Sequence, residues 1–115
     1  MADVNINIQG LMYRTAGDKE LITELCRLLR NEIPNYELEL QLALNNDDYI
    51  KIATICHRMK SSVAVLGFDK LSAEILVIEE KAIKKSPDFE FSNKINCIFI
   101  SLNKHLIELE NFLKK

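Results

Sequence analysis

The sequence contains two histidines, and only one of them stands among residues that could make it a nucleophile. His57 is followed at i+3 by Lys60, at i+4 by Ser61 and, ten positions on, by Gly67. An imidazole with its ordinary pKa of about 6.5 keeps an unprotonated ring nitrogen available near neutral pH. On a helix, Lys60 lies within side-chain reach of any group attached to that ring and can offset its negative charge, and Ser61 can donate a hydrogen bond. Acceptance of a phosphoryl group is the chemistry that suits such a set, because it asks for a nucleophile and a nearby cation and for no metal on this chain.

The helix that carries His57 is legible from its punctuation. Asn45-Asn46-Asp47-Asp48 is a loop that ends in an N-cap, and Gly67 fits the C′ position, where a left-handed residue closes a helix without steric cost. Between them Ile52, Cys56, Met59, Val63 and Leu66 form an apolar stripe. At about 100° per residue, His57 points well away from that stripe. It shares its face with Ala53, Thr54, Lys60, Ser61 and Ala64, which apart from the lysine are small, so a second protein can approach the ring closely. Leu71, Ile75, Ile78 and Ala82 repeat the same stepping as far as Lys85. If the chain reverses near Phe68, residues whose numbers sum to about 136 lie level on two antiparallel helices. Position 57 then faces Glu79, a carboxylate suited to take the proton of one ring nitrogen and orient the imidazole; Glu80 takes that place if the register slips by one.

Around this hairpin the remaining elements also read as helices. Residues 3–14, where Val4, Ile6 and Ile8 alternate before Gly10, are expected to be a lead-in packed on the bundle. Asp18 caps a helix with Leu21, Ile22, Leu25, Leu28, Leu29 and Ile33 at helical spacing, which Pro34 is expected to end or to separate from the next. Leu38, Leu40, Leu42 and Leu44 have a strand-like period of two, but their helix-forming neighbours and the lack of a partner strand favour a helix with Ile33, Tyr36, Leu40 and Leu44 inward and Leu38 and Leu42 outward. Ser86-Pro87-Asp88 is a break, and Phe91, Ile95, Ile98, Leu102, Leu106, Leu109 and Leu113 mark the last helix. The expected fold is all-α: an antiparallel four-helix bundle with an additional N-terminal segment or short helix, forming a single domain over residues 1–115.

Composition narrows the function classes. Fifteen basic and 17 acidic residues are interspersed along the 115-residue chain, which argues against a concentrated nucleic-acid footprint. Cys26, Cys56 and Cys97 form no close pair, so a reduced cytoplasmic setting is expected, with the thiols acting as small buried hydrophobes and no zinc site. No leader pattern or membrane-length apolar run is present. Three scattered glycines supply no nucleotide cradle, and no G-x-S-x-G occurs, so ATP-dependent autophosphorylation and serine hydrolysis are not expected. Lys81, Lys84 and Lys85 complement a helix C-terminus. His105 lacks the spacing around His57 and is expected at the boundary of the last helix.

Taken together, His57-x-Met59-Lys60-Ser61-Ser62 with Leu66-Gly67 at the helix end resembles the signature of histidine phosphotransfer domains, four-helix-bundle proteins of two-component phosphorelays. Gly17-Asp18, Asp47-Asp48 and Leu71 also look like the family, so the resemblance covers most of the chain. It implies that His57 is phosphorylated and that Lys60 is its charge partner. Glu79 matches a position where members often carry Gln or Glu against the histidine. Ser61 departs from the glycine common after the lysine, which narrows access or adds a hydroxyl. The implied partners are the receiver domain of a hybrid sensor histidine kinase and a response regulator, the receiver bringing Mg2+ and this chain needing no cofactor. Docking is expected on the His57 face, through Ala53, Thr54, Ser61 and Ala64, and on the adjacent helix through Leu38 and Leu42. A monomer is expected, with no nucleic acid or membrane partner. The alternative is a non-catalytic helical module that binds or sequesters a receiver.

Overall fold

In the computed structural model, residues 5–85 and 90–114 are described. Five helices account for nearly all of them: α1 (Ile8–Thr15), α2 (Lys19–Asn45), α3 (Tyr49–Val65), α4 (Asp69–Ile83) and α5 (Phe91–Leu113). No strand occurs among the described residues. The expected break at Ser86-Pro87-Asp88 lies outside them, as does Val4.

The helices start and stop where short-range chemistry dictates. Asp18 accepts the Leu21 amide at 3.1 Å and Asp48 accepts the Lys51 amide at 3.1 Å, each satisfying an orphan donor of a first turn. Asp48 is also the second residue past Asn46, the C-cap of α2, and its amide reaches the Ala43 carbonyl at 2.9 Å while Asp47 takes a left-handed φ of 50°. The two-helix turn is therefore a Schellman closure that passes straight into an N-cap.

Pro34 is a correction. The ring neither ends a helix nor begins one, because α2 runs through it for 27 residues. A proline inside a helix removes one backbone hydrogen bond and crowds the carbonyl four residues earlier. Here it sits on the exposed side, while Leu29, Ile33, Tyr36 and Leu40 keep one buried stripe across it. Burial of those four side chains, worth about 1.5–3 kcal/mol each, outweighs the local loss.

Helix α2 packs against α3 and α5, and α4 packs against the same two, which closes a four-membered ring with α2 and α4 on one diagonal. Ion pairs stitch its seams: Arg58 to Glu39 at 3.0 Å between α3 and α2, Arg30 to Glu110 at 2.6 Å between α2 and α5. The core runs the length of the molecule from Ala43 and Ile52 to Leu66, Phe68, Leu102 and Leu109. Its longest dimension, 43 Å, is close to the roughly 40 Å that α2 alone spans at about 1.5 Å per residue.

The lead-in is the short helix α1, capped by Asn7, whose side chain accepts the Gly10 amide at 3.0 Å. Asn7 also clasps the α3–α4 corner, donating its amide to the Gly67 carbonyl at 2.7 Å and its side-chain NH2 to Asp69 at 2.9 Å. Arg14, from the last turn of α1, donates to the terminal carbonyls of α3 at Ala64 and Val65, where a cation also complements the helix dipole.

Two further expectations are corrected. His105 is buried in the core, 4.9 Å from the Phe68 ring, because α5 turns it inward beside Leu102, Leu106 and Leu109. Its Nδ1 is satisfied by the Ser101 carbonyl at 2.7 Å, so no solvent contact is needed on that side of the ring. Of the three thiols, Cys26 and Cys56 are buried but Cys97 is exposed, since it falls between the core positions Ile95 and Ile98 on the outer side of α5.

Candidate functional site

The register of α3 against α4 is set at their corner. Gly67 has φ +83°, a conformation that disfavours any residue with a Cβ, and an added Cβ would stand 2.6 Å from the Asn7 carbonyl oxygen. The Phe68 amide returns to the Val63 carbonyl at 3.1 Å and the Gly67 amide to Ala64 at 3.0 Å, the paired bonds of a Schellman closure. Phe68 is fully buried beneath the turn. A corner this constrained fixes which residues lie level on the two helices, and it puts Glu79 opposite His57.

Glu79 uses both carboxylate oxygens. Oε2 lies 3.1 Å from Nδ1 of His57, and Oε1 accepts from Nζ of Lys60 at 2.8 Å. The imidazole is 65% exposed, the lysine side chain 24% and the glutamate 10%, so the set runs from a buried anion to a ring in solvent. Ser72, one turn into α4, donates to the Lys60 carbonyl at 3.3 Å and ties the same seam. Glu80 faces solvent and takes no part.

The electrostatics follow from that nesting. Burial pushes the Glu79 carboxyl upward, but hydrogen bonds from Lys60 and His57, together with the ammonium charge of Lys60, outweigh it and hold the group below the ordinary carboxylate range. An ionised carboxylate can only accept, so the proton between Glu79 and His57 sits on Nδ1. Nε2 is then the ring nitrogen with a free lone pair, on the exposed edge of the ring. Lys60 is half-buried rather than free on the surface, because Glu79 draws it against α4.

The small neighbours are where the helical projection puts them. Thr54 and Ser61 are exposed and Ala53 and Ala64 half-buried. Ser61, however, donates to the His57 carbonyl at 3.3 Å and not to the imidazole, as helical serines commonly do. Leu38 and Leu42 are both exposed on α2. They lie on the other side of α3 from Glu79, beyond the pair formed by Arg58 and Glu39.

Three exposed apolar residues on the two helices that carry His57 and Glu79 were not singled out from the sequence. Leu76 and Ile83 stand at i−3 and i+4 from Glu79 and therefore on its face of α4, and Ile50 stands two turns before His57 on α3. The spacing from Glu79 was the signal that could have found the first two. Among the described residues no group of three or more histidine, cysteine or acidic side chains could hold a metal ion, and no helix is long and apolar enough to cross a membrane.

No curated protein and no solved structure matches the chain. The family model of the Hpt domain does match, over residues 24–112. That span takes in all of α3 and α4 and most of α2 and α5, the four helices that build and present the His57 site, and the chain accordingly belongs to the Hpt domain family, the phosphotransfer modules of two-component systems.

Proposed function

We propose that this chain is a phosphorelay intermediate that accepts a phosphoryl group on Nε2 of His57 from the aspartyl phosphate of a hybrid kinase's receiver and passes it to the aspartate of a response regulator. The observation that carries the reading is the hydrogen bond between Nδ1 of His57 and the buried Glu79, which leaves Nε2 as an exposed nucleophile of fixed direction. In the first step the Nε2 lone pair forms the N–P bond as the acyl-phosphate P–O bond breaks, its electron pair going to the aspartate. In the second a carboxylate oxygen of the regulator attacks phosphorus and the N–P electrons return to Nε2. The receivers contribute Mg2+; this chain contributes position and charge, which is most of what phosphoryl transfer asks of a protein.

Lys60 compensates the phosphoryl charge from one turn away, and Ser61 and the small residues Ala53, Thr54 and Ala64 leave room for the receiver. The docking surface is the His57 face bounded by Ile50, Leu76 and Ile83, extended across α2 by Leu38 and Leu42. Two phosphorylated receivers in series test the relay. Label should pass from the first to the second only when wild-type chain is present, and His57→Gln should stop it. Tight receiver binding without any onward transfer would instead favour a sequestering module.

A further inference from the structure

Phosphorylation of His57 adds charge on the edge of the ring that Lys60 does not face. Nδ1 is turned to Glu79 on α4 at 3.1 Å, and Lys60 is held by the same carboxylate at 2.8 Å. The two ring nitrogens point in nearly opposite directions, so a phosphoryl group on Nε2 projects away from the α4 seam. It brings about 1.5–2 negative charges and three strong acceptor oxygens. Lys60 cannot follow it without leaving Glu79, 10% exposed, as an unpaired charge. The small neighbours supply no donor either: Thr54 and Ser61 have one hydroxyl proton each, and each gives it to its own helix, at the Ile50 carbonyl (2.8 Å) and the His57 carbonyl (3.3 Å).

The cation on the other side is Arg58, about 100° round α3 from His57 and turned from α4 toward α2, where its guanidinium meets Glu39 at 3.0 Å. No lysine or arginine follows Arg30 in α2, and Lys51, the one other cation of α3, lies about 9 Å before His57 along the axis. We propose that Arg58 is a phosphoryl-binding residue: once His57 is phosphorylated, its guanidinium leaves Glu39 and takes the phosphoryl oxygens on the Nε2 side, holding the group between the two transfers when no receiver's Mg2+ is near. Successive helical residues do not face each other at Cβ, but this side chain already crosses from α3 to α2, and the same length turned along the surface reaches a group standing out from the ring. The exchange costs little, because the pair with Glu39 joins side chains 49% and 35% exposed and such pairs are weak. A doubly charged phosphoryl group, which offers two oxygens to the guanidinium fork, is the stronger acceptor. Arg58 gives up no proton, and the bonds made and broken remain those of the relay.

This role of Arg58 rests on the reading of His57 as the acceptor, yet the two fail separately. The full chain is phosphorylated with phosphoramidate, a small donor that needs no receiver, and absence of acid-labile label would overturn both. In the labelled wild type the Arg58 Nε–H resonance should shift and exchange more slowly with water than before labelling. The second ionisation of the phosphoryl group, near 6 in ordinary phosphorylated side chains, should lie about 0.5 pH unit lower than in Arg58→Gln by phosphorus NMR. Label is then equilibrated with a receiver and the ratio of the free phosphorylated species is read, so that docking affinity drops out. Arg58→Gln should move that ratio about three- to tenfold toward the receiver, the range of one or two exposed ion pairs. Glu39→Gln, which frees Arg58 from its present partner, should move it the other way. A pair that serves only to join α2 to α3 predicts the same direction for both variants, and that result would refute the role. With label present, an Arg58 resonance indifferent to it in the wild type would refute the role alone, whatever the variants do.

Discussion

Replacement of Gly67 by alanine examines the corner on which the site depends. Two costs add. The first is the φ of +83°, a left-handed conformation that disfavours a Cβ by about 1–2 kcal/mol. The second is steric: the new methyl would sit 2.6 Å from the Asn7 carbonyl oxygen, so α1 must withdraw. Withdrawal weakens the 2.7 Å bond from the Asn7 amide and the 2.9 Å bond to Asp69, together about 1–2 kcal/mol at the usual net value of a hydrogen bond. The total is about 2–4 kcal/mol, or a fall in Tm of about 8–16 °C for a domain of this size. Gly17 is the internal control, since it has φ +69° with nothing within 4 Å of its added Cβ. Gly17→Ala should therefore cost only the backbone part, about 1–2 kcal/mol. Urea titrations followed by CD give both numbers in one series. If the two variants lose the same stability to within about 0.5 kcal/mol, less than one ordinary hydrogen bond, the close approach of α1 to the corner is not what holds it.

Two other perturbations follow from side-chain placement. Lys60→Ala removes a charge-assisted bond to a buried carboxylate and should cost about 1.5–2 kcal/mol while slowing transfer about tenfold or more, equivalent to about 1.4 kcal/mol of the barrier. Because the folded Glu79 carboxyl lies below its ordinary value, its contribution to stability is present above about pH 4.3 and is lost as pH falls through the folded value; in Lys60→Ala that acid-sensitive part should shrink, and an unchanged stability-versus-pH curve would contradict the pairing. Burial, with Glu110 and Glu79 nearby, pushes the thiols of Cys26 and Cys56 up to about 11 and about 12, whereas Cys97 is exposed. An aromatic disulfide reagent should therefore titrate one thiol quickly in the native chain, and rapid reaction of two or three would show the interior to be open.

What could be read without coordinates was whatever is local or periodic. Asp18 and Asp48 announce themselves as caps by type and position, Gly67 by its distance from the last core residue, and Glu79 by counting back from the corner, because antiparallel helices convert a turn position into a register. Pro34 misled because propensity is a one-residue quantity, and continuation of α2 is decided by four buried side chains spread across the proline. Asn7 and Arg14 were illegible for a different reason: they bind backbone groups fifty or more positions away, and nothing in their own neighbourhood shows it. His105 was placed at a boundary because it lacks the spacing around His57, although the positions around it already form the inward face of α5. At the site the spacing pointed to each member singly but not to the sharing of one carboxylate between Lys60 and His57. That arrangement depends on side-chain reach across a seam, and it changes Lys60 from a free surface cation into the anchor of Glu79.

Whether Nε2 of His57 carries the phosphoryl group is read from the site and chemistry of label after incubation with a phosphorylated receiver and Mg2+. The wild-type chain should take up label that is lost in acid and kept in base, with phosphorus–nitrogen NMR placing phosphate on Nε2, and His57→Gln should take up none. Equal labelling of His57→Gln, or label that survives acid, would mean that the phosphoryl group is not on His57.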